Sequence, residues 1–400
     1  MDLRNLPPDL TPEDRVAERR RRIQEELGVN LSLLATEPER IGSAEEKNCE
    51  QMFGTVPLPV GYAGPLSVTF SDGTKSDIHL PLATTEGALV ASVNRGCKAL
   101  ASGVTVQSTY HGISRSIAFG AISDKRSAKS EIKDSKLKAF ICEHEKDWKR
   151  IGEETSSHLK ILSYDIDQSG EYVFLTINAD TDEAMGMNMV TIAAQAIGDV
   201  IEKECNCELV TIAANVDSDK KPSVRTHDRG RGYTVTAAAV IPSSLITDVL
   251  KTTPEKLLSV ADAKLMHGSK LAGAIGNNLH AANIIAALYL ATGQDAAHVV
   301  EGSLCDTTFE RITNNESRIT VRSPAILVGT RGGGTSLPAQ SQCLNLLLPP
   351  TPYALPPTPH PRPTQRLAES IGAAVLAGEL SLLAAQAGHD LARAHKRMAR

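Results

Sequence analysis

The sequence has no apolar run approaching the roughly 18 residues that cross a bilayer, and its opening, MDLRNLPPDL, is polar and proline-bearing, unlike a secretory signal. It has seven cysteines, an odd number, and no C-x-x-C pair. Cys205 and Cys207 form a C-x-C at what reads as the end of a helix, a structural placement. These absences leave no zinc-ligand spacing and no disulfide framework, and they predict a soluble protein of a reducing, cytoplasmic compartment. Positive charge is not in excess: 42 Lys and Arg stand against 47 Asp and Glu, a net charge of -5. The overall balance therefore gives no pointer to nucleic acid. The one basic run, Arg19-Arg20-Arg21-Arg22, is flanked by Glu18, Glu25 and Glu26 and reads as an exposed helix face. No internal repeat is present.

What is present suits a globular protein of two or three domains: 400 residues, 41% hydrophobic and 22% charged. Thr11-Pro12-Glu13-Asp14 is a helix start, with a Thr cap, Pro at the first position and acids in the first turn, and Gly28 stops that helix. Residues 1–42 are expected to form a small helical arm. VPLPVGYAGPL (56–66) should be extended or looped, and a helical pattern begins near Thr84-Thr85. After a charged stretch over 121–160, EYVFLTINA (171–179) alternates like a strand. Ile192, Ala193, Ala196, Ile197, Val200 and Ile201 then recur with helical period, and ELVTIAA (208–214) is a second strand. This succession predicts a compact α+β unit over about 121–212. Residues 271–291 are apolar almost all round and predict a central buried helix. A strand and a glycine loop span 321–337. The proline-rich stretch 349–363 is an extended excursion, either a plain surface loop or a ligand for an SH3-like partner. Thr364 is expected to cap a last helix.

Several short pieces carry polar or glycine-rich chemistry. NVDSDKKP (215–222) sets two aspartates against two lysines between apparently buried segments; alone it reads as a solvated turn. Glu86, in ATTEGALV, is either a first-turn acid facing the helix dipole or a buried carboxyl able to carry a proton at neutral pH. Asp295, in ATGQDAAH, follows a glycine stop and opens the next helix as a cap. GTRGGGT (329–335) can bring bare backbone close to a phosphate or a planar ring, although it matches neither G-x-G-x-x-G nor G-x-x-x-x-G-K-[ST]. AMGMNM (184–189) stands at a strand-to-helix junction suited to an anion, with Met185 and Met187 equally able to fill a core. His395, in LARAHKRM, lies near the C-terminus.

In order, ATTEGALVASVNRGCKA, AMGMNM, DKKP, HAAN, GQDAA, GTRGGGT and AGELSLLAA followed by a near-terminal His resemble 3-hydroxy-3-methylglutaryl-coenzyme A (HMG-CoA) reductase over about residues 42–400. The form resembled is class I, in its soluble archaeal type. The resemblance implies an α+β fold: a large substrate domain (43–120 and 213–400) around a central buried helix, with a ferredoxin-like NADP(H)-binding domain inserted at 121–212. It implies reduction of HMG-CoA to mevalonate and coenzyme A by two NADPH hydride transfers, in a homodimer or homotetramer whose active sites are shared between subunits.

By resemblance, Glu86, Lys220, Asp295 and His395 are catalytic. Lys220 would offset charge on the thioester oxygen, Glu86 would donate a proton, Asp295 would sit between them, and His395 would protonate the departing thiolate. Asp219, Lys221, Lys264 and Asn283 match substrate contacts, and Ser92, Asn94, Arg95 and Lys251 match contacts to coenzyme A. Ser156, Glu183, Met185, Gly186, Met187, Asn188, Gly332, Gly333 and Gly334 match the cofactor site. No metal is implied.

Five positions depart from the pattern. Gly120 and Ser157 stand where arginines for substrate and cofactor are expected, Ala213 replaces a Ser, Glu183 replaces an Asp, and Arg331 replaces an apolar residue. These departures leave two alternatives open: a reductase of another acyl-CoA thioester, or a catalytically impaired coenzyme A-binding relative.

Overall fold

The computed structural model describes residues 2–120, 130–348 and 362–388. Helix α1 (Pro12–Leu27) has the expected ends, with the Thr11 hydroxyl accepting the Asp14 N–H and Gly28 in the left-handed region. It packs over a small cluster of Val16, Ile41, Ala44 and Met52. Strands β1 (Val60–Thr69) and β2 (Lys75–Ala83) form a hairpin. Helix α2 (Leu89–Ala99) begins later than the expected Thr84-Thr85 start, because the strand runs to Ala83 and a turn intervenes.

Strand β3 (Val104–Gly120) is the spine of the molecule. Helices α3 (Ser130–Glu143) and α4 (Glu145–Glu153) follow, then strands β4 (Lys160–Ser169) and β5 (Tyr172–Asp180), helix α5 (Met187–Cys205) and the short strand β6 (Glu208–Thr211). Strands β7 (Gly232–Pro242), β8 (Asp306–Arg311) and β9 (Glu316–Ile326) complete a mixed sheet. The order β2-β1-β3-β7-β9-β8 is antiparallel except for β1 with β3. Residues 105–112 of β3 pair with β7, whereas 113–119 pair with β5 and 118–120 with β6, so one strand serves two sheets.

Two hydrophobic cores divide at that point. The larger is built on β1, β2, β7 and the helices against them. The smaller takes Ile113, Ile117 and Phe119 of β3 with Trp148, Leu175, Val190, Ile197 and Ile201. The change from one core to the other falls near Gly112 of β3. Along α5, Ala193, Ile197 and Ile201 are buried as the period requires, but Ile192 is 60% exposed.

The expected central helix over 271–291 is not one element. Gly273 and Gly276 take positive φ, Leu271 is 90% exposed, and the buried helix α6 spans only Ala281–Thr292. Among the described residues the most enclosed helix is instead α7 (Pro363–Ala387). Arg362, not Thr364, occupies its cap position, with Pro363 first in the helix. By length and composition α7 could cross a membrane, yet 94% of that stretch is buried inside the fold, as in a core helix. Apolar small residues let α7 lie tight against α2: a Cβ at Gly96 would strike the Ala377 backbone. Its two buried carboxylates are hydrogen-bonded, as burial of charge demands. Glu369 accepts from Ser71 and Ser108, and Glu379 accepts the Leu279 and His280 N–H groups and the Thr307 hydroxyl. Glu379 thereby fixes the turn that starts α6.

Candidate active site

Between the two cores lies a cavity of about 850 Å³. Its walls come from the start of α5, the glycine loop after β9, the DKKP turn and the turn after α6. Gly186 caps α5 in the left-handed region, so Met187, Asn188 and Met189 open the helix on the cavity wall. The glycine loop is seated by two close approaches. Gly293 has φ 72°, and a Cβ there would strike the Gly334 carbonyl, so the turn carrying Asp295 and the loop touch backbone to backbone. Gln294 Oε1 accepts the Gly329 N–H at 2.8 Å. Gly332 and Gly333 also have positive φ, with no atom of the described residues within 4 Å of where a Cβ would stand, leaving their backbone bare to the cavity.

Lys220 takes φ 58°, unusual for a residue with a side chain, and its Nζ lies 2.8 Å from Asp295 Oδ2. Asp295 is a cap as expected, accepting the Ala297 N–H at 3.0 Å. Partial burial opposes its ionisation, but Lys220, the Ala297 N–H and His298 together hold its carboxyl below the ordinary value. Asp219 behaves likewise: burial opposes the charge, and Arg231, then His298, outweigh it. Arg231 is 2% exposed and reaches Asp219 Oδ1 at 3.0 Å and Glu301 Oε1 at 2.9 Å. Arg115 also lines the cavity, with Nη1 3.5 Å from Asp217 and 3.7 Å from Asp219.

Most residues matched to the cofactor meet here: Ser156, Met185, Gly186, Met187, Asn188, Gly332, Gly333 and Gly334 all line the cavity, with Lys220, Asp219 and Asp295. Glu183 does not; its Oε2 accepts the Thr330 hydroxyl at 2.7 Å and the Thr364 N–H at 2.9 Å, tying the loop to α7. Lys221 points back to the Asp219 carbonyl at 2.9 Å.

The other expected residues stand apart from this cavity. Glu86 is exposed on the turn before α2, so neither its first-turn nor its buried reading holds in the single chain. Arg95 Nη2 donates to the Ser381 carbonyl at 2.6 Å, and Ser92 Oγ to the Ser381 hydroxyl at 2.9 Å. Asn94 accepts the Gly64 N–H at 2.9 Å. Lys251 is exposed, and Asn283 is half-buried near the start of α6. Lys264 lies on a π-helical turn, where burial pushes its ammonium down and Glu379 opposes that shift. His395 lies outside the described residues.

Two departures change meaning in three dimensions. Gly120 ends β3 beside Val210 and Tyr172, away from the cavity wall, while Arg115, five residues earlier in the same SRSIAFG run, lies on it. Arg115 thus puts a guanidinium on the cavity wall, which Gly120 does not reach. Ser157 is exposed beside Ser156, and Arg331 borders the cavity. Arg115, Arg231, His298 and Glu301 were not singled out in the sequence. The charged pair Arg229/Arg231 and the HVVEG run after GQDAA were the available signals, but neither has a spacing that marks a site.

A lysine–carboxylate pair, a bare glycine loop and a helix N-terminus around one large cavity define an enzyme site for a small molecule. A family profile described as hydroxymethylglutaryl-coenzyme A reductase matches residues 15–400. The 3-hydroxy-3-methylglutaryl-coenzyme A reductase of Methanothermobacter thermautotrophicus is 37% identical over 402 residues, covering 99% of this chain and 95% of that protein. That of Haloferax volcanii is 39% identical, over 89% of this chain and 86% of that one. The chain belongs to the hydroxymethylglutaryl-coenzyme A reductase family. A solved class II 3-hydroxy-3-methylglutaryl-CoA reductase from Streptococcus pneumoniae, bound to NADPH in open conformations, superposes with a TM-score of 0.64 at 20% identity. The match covers 92% of this chain and 96% of that one, and speaks to the fold.

Proposed function

We propose that this protein is a class I, NADPH-dependent reductase that converts HMG-CoA to mevalonate and free coenzyme A in the cytoplasm. Family membership over nearly the whole chain supports the reaction, and the D-A-M-G-M-N-like run EAMGMN supports class I. All seven cysteines are free thiols, in keeping with a reducing compartment. The single observation that carries the site assignment is the Lys220–Asp295 pair at 2.8 Å on the wall of the glycine-loop cavity.

The residues suit the cofactor: a Cβ-free loop at Gly332 and Gly333 and the opening of α5 leave room for a flat ring and a phosphate. NADPH, when bound, supplies the hydride. Lys220 holds a positive charge where the thioester oxygen gathers negative charge, and Asp295 keeps that ammonium oriented. Asp219, steadied by Arg231, and Arg115 border the same space and would hold the acyl portion. Glu86 donates the proton that completes the alcohol, and His395 protonates the leaving thiolate.

The unit built from β3, α3, α4, β4, β5, α5 and β6 serves as the ferredoxin-like cofactor domain. Its strand order β4-β5-β3-β6 and its β-α-β-β-α-β succession support that reading. Glu86, exposed and away from the Lys220 cavity, supports a homo-oligomer in which one subunit's Glu86 completes its partner's site. The test is NADPH oxidation by purified protein: HMG-CoA-dependent turnover is expected, and none would overturn the reading.

A further inference from the structure

Behind the Lys220–Asp295 pair lies a second layer of buried charge that the proposed reaction does not use. Glu301 and His298 are both 0% exposed. One oxygen of Glu301, Oε1, accepts the backbone N–H of Lys220 at 2.5 Å and Arg231 Nη1 at 2.9 Å, with His298 Nδ1 at 3.4 Å. On the other side, His298 Nε2 lies 3.7 Å from Asp295 Oδ2 and 4.0 Å from Asp219 Oδ1. Asp219, His298 and Glu301 are close enough to suggest a metal site. Arg231 already stands between the two carboxylates at 3.0 and 2.9 Å, so a guanidinium takes the place a cation would need.

Lys220 is thus held at both ends: its ammonium by Asp295 and its backbone N–H by Glu301. That backbone has φ 58°, a conformation a non-glycine residue keeps only when its surroundings hold it there. Among the described residues, Glu301 also leaves its second oxygen, Oε2, without a hydrogen-bond partner. An orphaned oxygen on a fully buried carboxylate is costly, and such costs persist where geometry serves function.

We infer that Glu301 is a positioning residue for the reaction: by gripping the Lys220 N–H it fixes the strained DKKP turn and aims the Lys220 ammonium into the cavity. Arg231 holds Glu301 and Asp219 in one frame. The inference rests on the reading of Lys220 as the catalytic lysine. What the grip needs is reach, not charge alone, since Oε1 is the atom used.

Two conservative variants separate reach from charge. Glu301→Gln keeps the chain length and an accepting oxygen but removes the charge. Glu301→Asp keeps the charge but withdraws the oxygens by one methylene. Misplacement of a catalytic group by about 1 Å costs on the order of a hundredfold. We expect Glu301→Asp to lower kcat at least about tenfold with KM for HMG-CoA and NADPH nearly unchanged, and Glu301→Gln to keep most of kcat. Normal kcat in the Asp variant, equal losses in both, or loss in the Gln variant alone would overturn the inference. A measurement on the unaltered protein stands beside it. Lys220 is exposed, yet its amide should resist hydrogen exchange, and an unprotected Lys220 amide would overturn the inference without any variant. Wild-type turnover and Lys220→Ala serve as controls. If Lys220→Ala keeps full turnover, the catalytic reading fails; if it is inactive while Glu301→Asp is normal, only the positioning role fails.

Discussion

Lys220 Nζ and Asp295 Oδ2 stand 2.8 Å apart, joining the DKKP turn to the turn after α6 on the wall of the cavity. Both side chains are partly exposed, at 40% and 35%, so the pair contributes little to folding stability on its own. In the proposed reaction its value lies in where it puts a fixed positive charge.

Lys220→Ala should lower kcat for HMG-CoA reduction by at least about a hundredfold, as removal of other oxyanion donors does. Substrate affinity should fall much less. Steady-state kinetics check this, and near-normal turnover would return DKKP to the status of a plain turn.

Arg115 and Gly120 make opposite predictions. Arg115 lines the cavity beside Asp219, and its Nη2 donates to Thr191 Oγ1 at 2.8 Å. That bond steadies the guanidinium for the acyl contact proposed above, and losing such a charge-assisted substrate contact commonly costs about 1.5–3 kcal/mol. Arg115→Ala is therefore expected to raise KM for HMG-CoA by roughly tenfold or more. Gly120→Arg, facing Val210 and Tyr172, should leave KM unchanged. A lowered KM in Gly120→Arg would restore the view that the substrate grip is missing from that position.

Glu86 and Lys220 can be tested against each other by mixing subunits. Glu86→Gln and Lys220→Ala should each be inactive alone. Co-expressed, they should regain measurable activity, because a mixed dimer can assemble one site with both residues intact. No recovery, with mixed oligomers verified, would place both residues in the same subunit's site.

His395 carries a prediction that rests on the sequence. A thiol has a pKa near 8.5, so an acid at His395 matters only when the thiolate leaves. His395→Gln should lose most HMG-CoA reduction yet keep reduction of free mevaldehyde, while His389→Gln keeps both. Parallel assays of the two substrates decide it; equal loss of both would point to a structural role for the C-terminus.

Asp217 gives a pH-dependent prediction. Burial pushes its carboxyl above the ordinary value, against the pull of Arg231 and Arg115. A carboxyl raised in the folded state costs nothing when protonated in both states; the cost grows as the pH rises from the unfolded value and is complete above the folded one. Asp217→Asn should thus raise the Tm at pH 7, with the gain shrinking as the pH falls through the raised folded value and gone below about 4, where the carboxyl is protonated folded or unfolded. Thermal melts at the two pH values check the sign, and a lowered Tm at pH 7 would show that the arginines outweigh burial.

Local chemistry in the sequence was enough for features that depend on near neighbours. Thr11, Pro12 and Gly28 set the ends of α1, the alternation over 171–179 matched β5, and Gly293 with Asp295 marked a helix stop and a cap. The ordered motifs carried family membership, because each is a short string of adjacent residues. Features that depend on distant approach were not legible. Two glycines broke the apolar run over 271–291, since periodicity reports burial and not where φ turns positive. The central helix proved to be α7, enclosed because α2, α6 and β7 all pack on it. Glu86 is exposed and neither of its two readings holds in the single chain, and Arg115 rather than Gly120 lies on the cavity wall, because a strand's reach into a cavity depends on which sheet it pairs with. Glu301 belongs to the same group: only folding brings its carboxylate to the amide of Lys220, 2.5 Å away.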